Sequence, residues 1–173
     1  GRFVRTVMVD GCGIVTRDAT LDASLAGLFQ FGLVPAGDPR MVKTMQAVEQ
    51  RLWCRTPVGG LARYEDDYYY QVSRDVANVP GNPWFVSTLW LADWYIARAV
   101  SPAHLERARE LIEWVAQHAL PSGVLAEQVH PYTGEPLSVS PLSWSHGTFV
   151  STVLDYLAKE EQLARSGWAS LLG

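Results

Sequence analysis

The chain has 173 residues, of which 48% are hydrophobic and 18% charged, and its formal net charge is -4. These values predict one domain with a buried core, and they exclude a disordered tail. The mild acidity makes nucleic acid and anionic membranes poor candidates as partners, and no apolar run is long enough to predict a membrane span.

The first part of the chain alternates short strands, helices and turns. Residues 3–9 and 14–17 are apolar, β-branched runs on either side of a glycine turn, which predicts two short strands. Thr20 is predicted to cap a first helix, and Asp38 a second helix with Pro39 at its first position. The second helix has an apolar stripe at helical spacing, formed by Met41, Met45, Val48 and Leu52.

Three further helices are predicted in the second part of the chain. Asn82 is expected to cap a helix whose residues 84–96 are apolar on nearly every side, which is typical of a helix buried on both faces. Ser101 and Pro102 begin an amphipathic helix, and Ser143 begins the last one. This alternation predicts an all-α fold of about five helices, packed as hairpins in two layers.

Two long irregular segments, residues 56–81 and 124–141, interrupt the helices and share carboxylates, aromatic rings and amides. A loop of this length within a compact domain is usually functional. Aromatic rings cover the C–H faces of a sugar, while carboxylates, amides and arginine hydrogen-bond its hydroxyls. The composition therefore indicates sugar binding, although packed tyrosines and solvated charges would produce the same composition.

The cysteines and histidines show no metal-binding pattern. Cys12 and Cys54 pair only if the fold brings them together; we favour two free thiols in a reducing compartment, which is consistent with a cytoplasmic location. The chain has no CxxC or HExxH motif, and its four histidines lack ligand spacing. We therefore expect no metal and no other cofactor.

Four blocks of residues carry a family resemblance because they occur in a fixed order. They are Arg63-Tyr64-Glu65-Asp66-Asp67-Tyr68, Gly81-Asn82-Pro83-Trp84-Phe85, Ala126-Glu127-Gln128 and Pro141-Leu142-Ser143-Trp144-Ser145-His146. Together they resemble the C-terminal half of glucoamylases and their relatives, glycoside hydrolase family fifteen. Residues 18–25 also resemble bacterial and archaeal members of that family, so the resemblance covers nearly the whole chain.

The resemblance implies an (α/α)6 barrel of twelve helices in two concentric layers. It identifies residues 1–173 as the C-terminal part of such a catalytic domain, with about five of the helices, two long active-site loops and short strands near the N-terminus. The missing N-terminal half of the barrel, in the same or a separate chain, is then an expected partner. Because a half-barrel exposes inner helix faces, we expect part of the apolar surface of residues 84–96 to be exposed and the isolated chain to associate.

Within this resemblance, Glu127 matches the family's general base. In an inverting glycosidase that carboxylate activates a water molecule on the face opposite the leaving group. The partner carboxylic acid lies roughly 6.5–9.5 Å away, which leaves room for the water. The family carries this acid on a segment that precedes the part resembling our chain, so we expect the isolated chain to be inactive.

The block that starts at Arg63 resembles the family's substrate-binding loop, which implies that Arg63 and Tyr64 bind the sugar. Arg63 would donate to the sugar hydroxyls, and Glu65 or Asp66 would orient it or accept from the sugar. A surface ion pair between Arg63 and Glu65 is the alternative.

The tryptophans Trp84 and Trp144 are expected to form walls of the sugar site, although Trp84 also fits a place in the core. His146 is expected to support the site by hydrogen bonding rather than to titrate in catalysis.

Three functions follow from these expectations. The first is release of glucose from the non-reducing ends of α-glucans with inversion, and the second is hydrolysis of trehalose by a member of the same family. The third belongs to another class: a non-catalytic carbohydrate-binding helical module.

Overall fold

Helices make up most of the regular structure. The computed structural model describes the backbone of residues 1–172 and the side chains of residues 1–166. The elements in chain order are β1 (Thr6–Val9), β2 (Val15–Asp18), a 3-10 helix (Ala23–Ala26), α1 (Gly27–Gln30), α2 (Pro39–Leu52), α3 (Phe85–Arg98), a second 3-10 helix (Pro102–Leu105), α4 (Glu106–Gln117), β3 (Gln128–Val129), β4 (Pro136–Leu137) and α5 (Ser143–Leu172). The predicted all-α class and the two short N-terminal strands, which pair as an antiparallel hairpin, are confirmed.

Helix α3 lies at the centre of the fold. It packs against both α4 and α5, and apolar side chains are buried around most of its circumference. The prediction of a helix buried on both faces is therefore confirmed. Helix α4 turns one apolar stripe towards α3, and its buried members are Ala108, Leu111, Trp114 and Val115.

Helix α2 forms as the sequence predicts. The Asp38 carboxylate accepts a hydrogen bond from the Arg40 backbone N–H at 2.8 Å, and Pro39 occupies the first helical position. Such a cap stabilises a helix by about 1 kcal/mol. The whole predicted stripe of this helix is fully buried: Met41, Met45, Val48 and Leu52.

Two predicted helix caps are wrong. Asp22, not Thr20, caps the first 3-10 helix, since its carboxylate accepts from the Ser24 N–H at 2.9 Å. Asn82 does not cap α3, because Trp84 is still extended and the helix begins only at Phe85. The Asn82 amide is instead turned into the loops that surround it.

Exposed apolar side chains lie on α5 and on the β1–β2 hairpin rather than on α3. We expected part of the surface of residues 84–96 to be exposed, but α4 and α5 cover it. On α5, by contrast, Val150, Leu154 and Leu157 follow one another at helical spacing and are each more than half exposed. This row is the side of α5 that faces away from α3.

Both cysteines are free thiols. Cys12 is exposed, while Cys54 is buried and its Sγ donates to the Gly81 carbonyl at 3.2 Å. Burial raises the pKa of the Cys54 thiol to about 12, which leaves it protonated. No helix in the described part of the chain is long and apolar enough to cross a membrane.

A half-buried carboxylate joins three of the helices. Asp93 of α3 accepts hydrogen bonds from Gln30 of α1 at 2.8 Å and from Thr152 of α5 at 2.7 Å. Burial raises the pKa of Asp93 to about 6, although these two hydrogen bonds partly oppose the shift and nearby Asp155 adds to it. The folded protein therefore holds this proton more tightly than the unfolded chain does.

Asp93→Asn should remove a pH dependence of stability. Because the folded-state pKa is raised, the stabilisation from protonated Asp93 is complete below about pH 4 and lost as the pH rises through about 6. The asparagine variant should therefore melt at a higher temperature than wild type at pH 8, and this advantage should shrink at pH 4.5. Melting curves of the full-length protein measure this, with Glu160→Gln, an exposed carboxylate on α5, as the control. An equal difference between Asp93→Asn and wild type at both pH values would contradict the assignment.

Candidate active site

A cleft of about 340 Å³ lies at the N-terminal ends of α3 and α5. Five of the seven residues predicted for the site line this cleft. The full lining is Asp22, Ser24, Arg63, Tyr64, Trp84, Val86, Ser87, Trp90, Glu127 and Trp144.

Single β-bridges align the loops that supply these residues. Three such bridges pair Asp22 with Tyr64, Ala62 with Pro83, and Trp84 with Gln128. Backbone hydrogen bonds reinforce them: Trp84 N–H donates to Leu61 at 2.9 Å, and Val129 N–H donates to Pro83 at 2.9 Å. We call these pairings the bridge ladder. It brings residues that are far apart in sequence to one wall of the cleft.

Arg63 is held by a buried carboxylate and by aromatic faces. Its guanidinium makes a two-pronged contact with Asp67, with Nε and Nη2 at 3.0 and 2.9 Å from the two carboxylate oxygens. The guanidinium carbon also lies 4.5 Å from the centre of the Trp84 ring and 4.7 Å from that of Tyr64. Both arrangements favour a fixed cation. Burial opposes the charge of Arg63, but Asp67 outweighs that effect and raises the pKa of Arg63.

Close packing fixes the position of Asp67. Its N–H donates to the Pro80 carbonyl at 3.0 Å, and its carboxylate accepts from the Tyr69 N–H at 3.1 Å. Gly81 lies so near that a Cβ on it would come within 2.8 Å of the Asp67 Cβ. A side chain at position 81 would therefore displace the carboxylate that orients Arg63.

A short hairpin places Glu127 beside a hydroxyl. Strands β3 and β4 pair Gln128 with Leu137, so the next residues outward, Glu127 and Ser138, face each other. The Ser138 Oγ donates to the Glu127 carboxylate, and the Glu127 N–H donates to the Val139 carbonyl at 2.9 Å. Ser138 adopts a left-handed backbone with φ of 61°, which is strained for a residue with a side chain. The fold tolerates this strain at the point where the hydroxyl meets the carboxylate.

The first turn of α5 holds the segment that precedes Glu127. The Ser145 hydroxyl donates to the Ala126 carbonyl at 2.8 Å, and the Leu125 N–H donates to the His146 Nε2 at 3.0 Å. His146 thus supports the site through a hydrogen bond, as expected. The Trp144 ring packs edge-on against Trp90 at 5.7 Å and remains half exposed at the cleft.

Glu65 and Asp66 do not reach this cleft, contrary to the expectation that they bind the sugar or orient Arg63. The Glu65 carboxylate accepts from the Leu21 N–H at 2.8 Å and pairs with Arg51 at 2.5 Å, so it fastens the loop to the N-terminal segment. Both carboxylates line a separate cleft that contains Arg51 and Arg55. The alternative ion pair between Arg63 and Glu65 is also wrong, since the partner of Arg63 is Asp67.

Sequence reasoning missed two residues of the site, Asp67 and Ser138. For Asp67 the signal was weak, because it is one of three consecutive acidic residues, and only the structure shows that it alone among them is fully buried. For Ser138 the signal lay in the turn around Gly134, which has a positive φ and closes the β3–β4 hairpin. The segment 124–141, predicted to be irregular, thus contains a short hairpin.

The polar groups of the cleft suit a ligand rich in hydroxyls. Glu127 accepts hydrogen bonds, Arg63 donates them, and the surrounding rings offer flat apolar faces. The Nε1 of Trp84, which lines the cleft, is also a buried donor with no acceptor among the described residues. Within residues 1–166, no group of three or more His, Cys, Asp and Glu side chains is placed to hold a metal ion.

Comparison with known proteins identifies the family and the fold of this chain. The family model described as glycosyl hydrolases family 15 matches residues 4–154. The chain belongs to this family. A bacterial glucoamylase solved in complex with acarbose superposes with a TM-score of 0.70 at 25% identity, over 90% of our chain and 23% of that chain. The predicted partial (α/α)6 barrel is confirmed by this match in fold.

Curated relatives of this family 15 chain include enzymes with different names. An uncharacterised glycosyl hydrolase of Methanocaldococcus jannaschii is 32% identical over 80% of our chain and 22% of its own length. A trehalase of Mycolicibacterium smegmatis is 28% identical over 92% of our chain and 23% of its length, and a Clostridium glucoamylase is 27% identical over 83% and 20%. The chain thus spans less than a quarter of the length of these relatives.

The variants Ser138→Ala and Ser138→Gly should separate the effect of losing the hydroxyl from the effect of the backbone strain. Both remove a hydrogen bond to a charged group, so each should lower kcat by about tenfold or more for the glycosidase activity that we propose below for the full-length protein. Glycine also relieves the left-handed strain, so it should melt at a higher temperature than the alanine variant. If both variants keep the wild-type kcat, the hydroxyl does not serve Glu127.

Proposed function

We propose that the protein containing this chain is an inverting glycoside hydrolase that releases glucose from the non-reducing ends of α-glucans, with Glu127 as its general base. The observation that carries the proposal is the shared cleft, in which the Glu127 carboxylate lies with the fixed Arg63 cation and aromatic walls. A base in such an enzyme needs an open side on which a water molecule meets the sugar. The half-buried Glu127, which lines the cleft, is suited to this role.

In this proposal the other residues of the cleft bind the terminal sugar. Arg63 donates hydrogen bonds to its hydroxyls, and Asp67 keeps the guanidinium in a fixed orientation. Trp84, Tyr64 and Trp144 cover the apolar faces of the ring. The Ser138 hydroxyl orients the Glu127 carboxylate, so that one oxygen remains for the water molecule.

The general acid comes from outside this chain in our proposal. Asp22 is the other carboxylate of the described cleft, and it is already used as a helix cap beside Arg5, 3.9 Å away. We place residues 1–173 in the C-terminal part of the catalytic domain, where the rest of the barrel supplies the acid. The exposed apolar row on α5 is a surface on which that remainder packs. The isolated chain is accordingly inactive.

Trehalose is the second candidate substrate. It is favoured by relatives named trehalase, among them the Mycolicibacterium protein and one of Thermoplasma acidophilum, which is 29% identical over 73% of our chain. The block Asn82-Pro83-Trp84 resembles more closely that of family members that act on maltooligosaccharides. Asn82, however, is fully buried and absent from the cleft lining, so it does not choose between the substrates by contact.

Glu127→Gln tests the base in the full-length protein. The amide cannot accept the proton of the attacking water, so kcat should fall by about 10²–10⁴-fold while sugar binding persists. Glu135→Gln, an exposed glutamate on the same hairpin, is the matched control and should retain activity. An unchanged kcat in Glu127→Gln would remove Glu127 from the reaction. Binding of glucosides without any hydrolysis by wild type would favour the non-catalytic module.

A comparison of two substrates decides between the enzymes. Glucose released from maltotriose and from trehalose is measured with the full-length protein under the same conditions. We expect a higher kcat/KM for maltotriose. A preference for trehalose would identify the second candidate as correct and would leave the role of Glu127 untouched.

A further inference from the structure

The β3–β4 hairpin is too short to hold itself together. Each strand has only two residues, Gln128–Val129 in β3 and Pro136–Leu137 in β4. An isolated two-stranded hairpin is marginally stable even when its strands are longer. The bridge ladder also holds β3, because it pairs Gln128 with Trp84, whereas β4 has β3 as its one strand partner among the described residues. The position of β4, and of Ser138 directly after it, therefore needs a further constraint.

The imidazole of His130 acts at the closed end of this hairpin. Its Nδ1 accepts hydrogen bonds from the Tyr132 N–H at 3.2 Å and from the Thr133 N–H at 3.1 Å. Asparagine and aspartate side chains close turns in the same way. Backbone bonds complete the turn, since the His130 N–H donates to the Glu135 carbonyl at 2.7 Å and the Gly134 N–H donates to the His130 carbonyl at 3.0 Å. One side chain thus satisfies two backbone N–H groups of the turn.

The closed end of the hairpin is also fastened to the rest of the fold. The Tyr132 and Ser73 hydroxyls lie 2.7 Å apart and share a hydrogen bond. A Cβ at position 134 would come within 3.3 Å of the His118 Cδ2, so Gly134 packs directly against that ring. Gly134 also has a φ of 76°, a left-handed conformation that glycine adopts without strain. The turn that His130 closes is therefore a fixed point from which β4 begins.

The two ends of β4 are held by different groups. Before β4, the Glu135 carbonyl accepts from the His130 N–H, and after β4 the Ser138 hydroxyl donates to the Glu127 carboxylate. If the turn opens, β4 is free to move away from β3, while the bridge ladder keeps β3 in place. Such a movement takes the hydroxyl from Glu127 but leaves the sugar-binding residues of the other loops where they are. Loss of the turn should therefore affect the base and not the affinity for sugar.

We propose that His130 is a positioning residue for the general base: its imidazole closes the turn of the hairpin and so keeps the Ser138 hydroxyl against the Glu127 carboxylate. This inference rests on the proposed function of Glu127. His130 is half-buried and does not belong to the lining of the cleft, so it acts through the hairpin rather than by contact with the sugar. The role requires an unprotonated acceptor atom at the place of Nδ1 and no other part of the ring.

The test keeps or removes this acceptor in the full-length protein. His130→Asn keeps it, because the amide oxygen of asparagine is bonded to the γ carbon as Nδ1 is in histidine. His130→Leu has the branching of asparagine but offers no acceptor. His104→Leu is the matched control, since His104 also accepts from a backbone N–H, that of Val100, but lines a different cleft. For each protein, kcat and KM are measured with the better of the two substrates, maltotriose and trehalose.

We expect His130→Leu to lower kcat by about tenfold, as loss of the Ser138 hydroxyl does, and to change KM by less than about twofold. His130→Asn should stay within about threefold of wild type, since its oxygen closes turns in this way. His104→Leu should match wild type. A wild-type kcat in His130→Leu overturns the proposal, and so does an equal loss in His130→Asn and His130→Leu. If His130→Leu does not fold, His130→Gln replaces it, because its acceptor lies one carbon further out.

A double variant distinguishes the positioning role from a general loss of structure. If His130 acts by holding the Ser138 hydroxyl, His130→Leu/Ser138→Ala should lose no more kcat than the more impaired single variant, because both changes interrupt one interaction. Independent roles would multiply to a loss of about a hundredfold, which would overturn the proposal.

Amide hydrogen exchange separates this inference from the proposed function. The Glu127 N–H donates to the Val139 carbonyl just beyond β4, so its exchange rate in the full-length protein reports whether that strand is in place. Exchange should be at least about tenfold faster in His130→Leu than in wild type and His130→Asn, because the unanchored strand opens more often. If wild type hydrolyses no glucoside, the proposed function fails, but this comparison still tests the turn. Equal exchange rates in the three proteins overturn the inference.

Discussion

The bridge ladder is the constraint on which the site depends. Arg63, Trp84 and Glu127 belong to separate loops of a helical protein, and loops have no regular neighbour to fix them. Three β-bridges supply these loops with backbone neighbours. They pair Asp22 with Tyr64, Ala62 with Pro83, and Trp84 with Gln128. Closing such loops costs chain entropy. The backbone hydrogen bonds of the ladder and the buried helices beneath it offset that cost.

The charged side chains of the site are held in position by other protein groups rather than by water. Asp67 is fully buried and holds Arg63 through two hydrogen bonds, and the absence of a side chain at Gly81 leaves room for it. Removing one member of such a pair leaves an uncompensated charge, so the pair is retained as a unit. Glu127 is held in another way, by the hairpin register and one hydroxyl. The cation is thus immobilised, whereas the carboxylate remains open to the cleft.

Apolar periodicity was enough to predict the helices, although two of the predicted capping residues were wrong. The sequence predicts the apolar stripe of α2, from Met41 to Leu52, and the apolar circumference of α3. Both patterns repeat along a single element. Asp67 and Ser138 could not be found in this way, since their roles depend on contacts between loops. Glu65 and Asp67 are both carboxylates, so their residue types do not distinguish their roles. Only the structure shows that Glu65 binds the Leu21 N–H, whereas the buried Asp67 pairs with Arg63. The exposure of the α5 row likewise depends on which neighbours the helix has.

The stereochemistry of the first product tests the central claim, that the ladder holds Glu127 as the base of an inverting hydrolase. Proton NMR of the full-length protein acting on maltotriose resolves the anomer of glucose that is released before mutarotation equilibrates it. Attack by a water molecule that Glu127 activates on the face opposite the leaving group gives β-glucose first. Release of α-glucose first would show retention and would contradict the account.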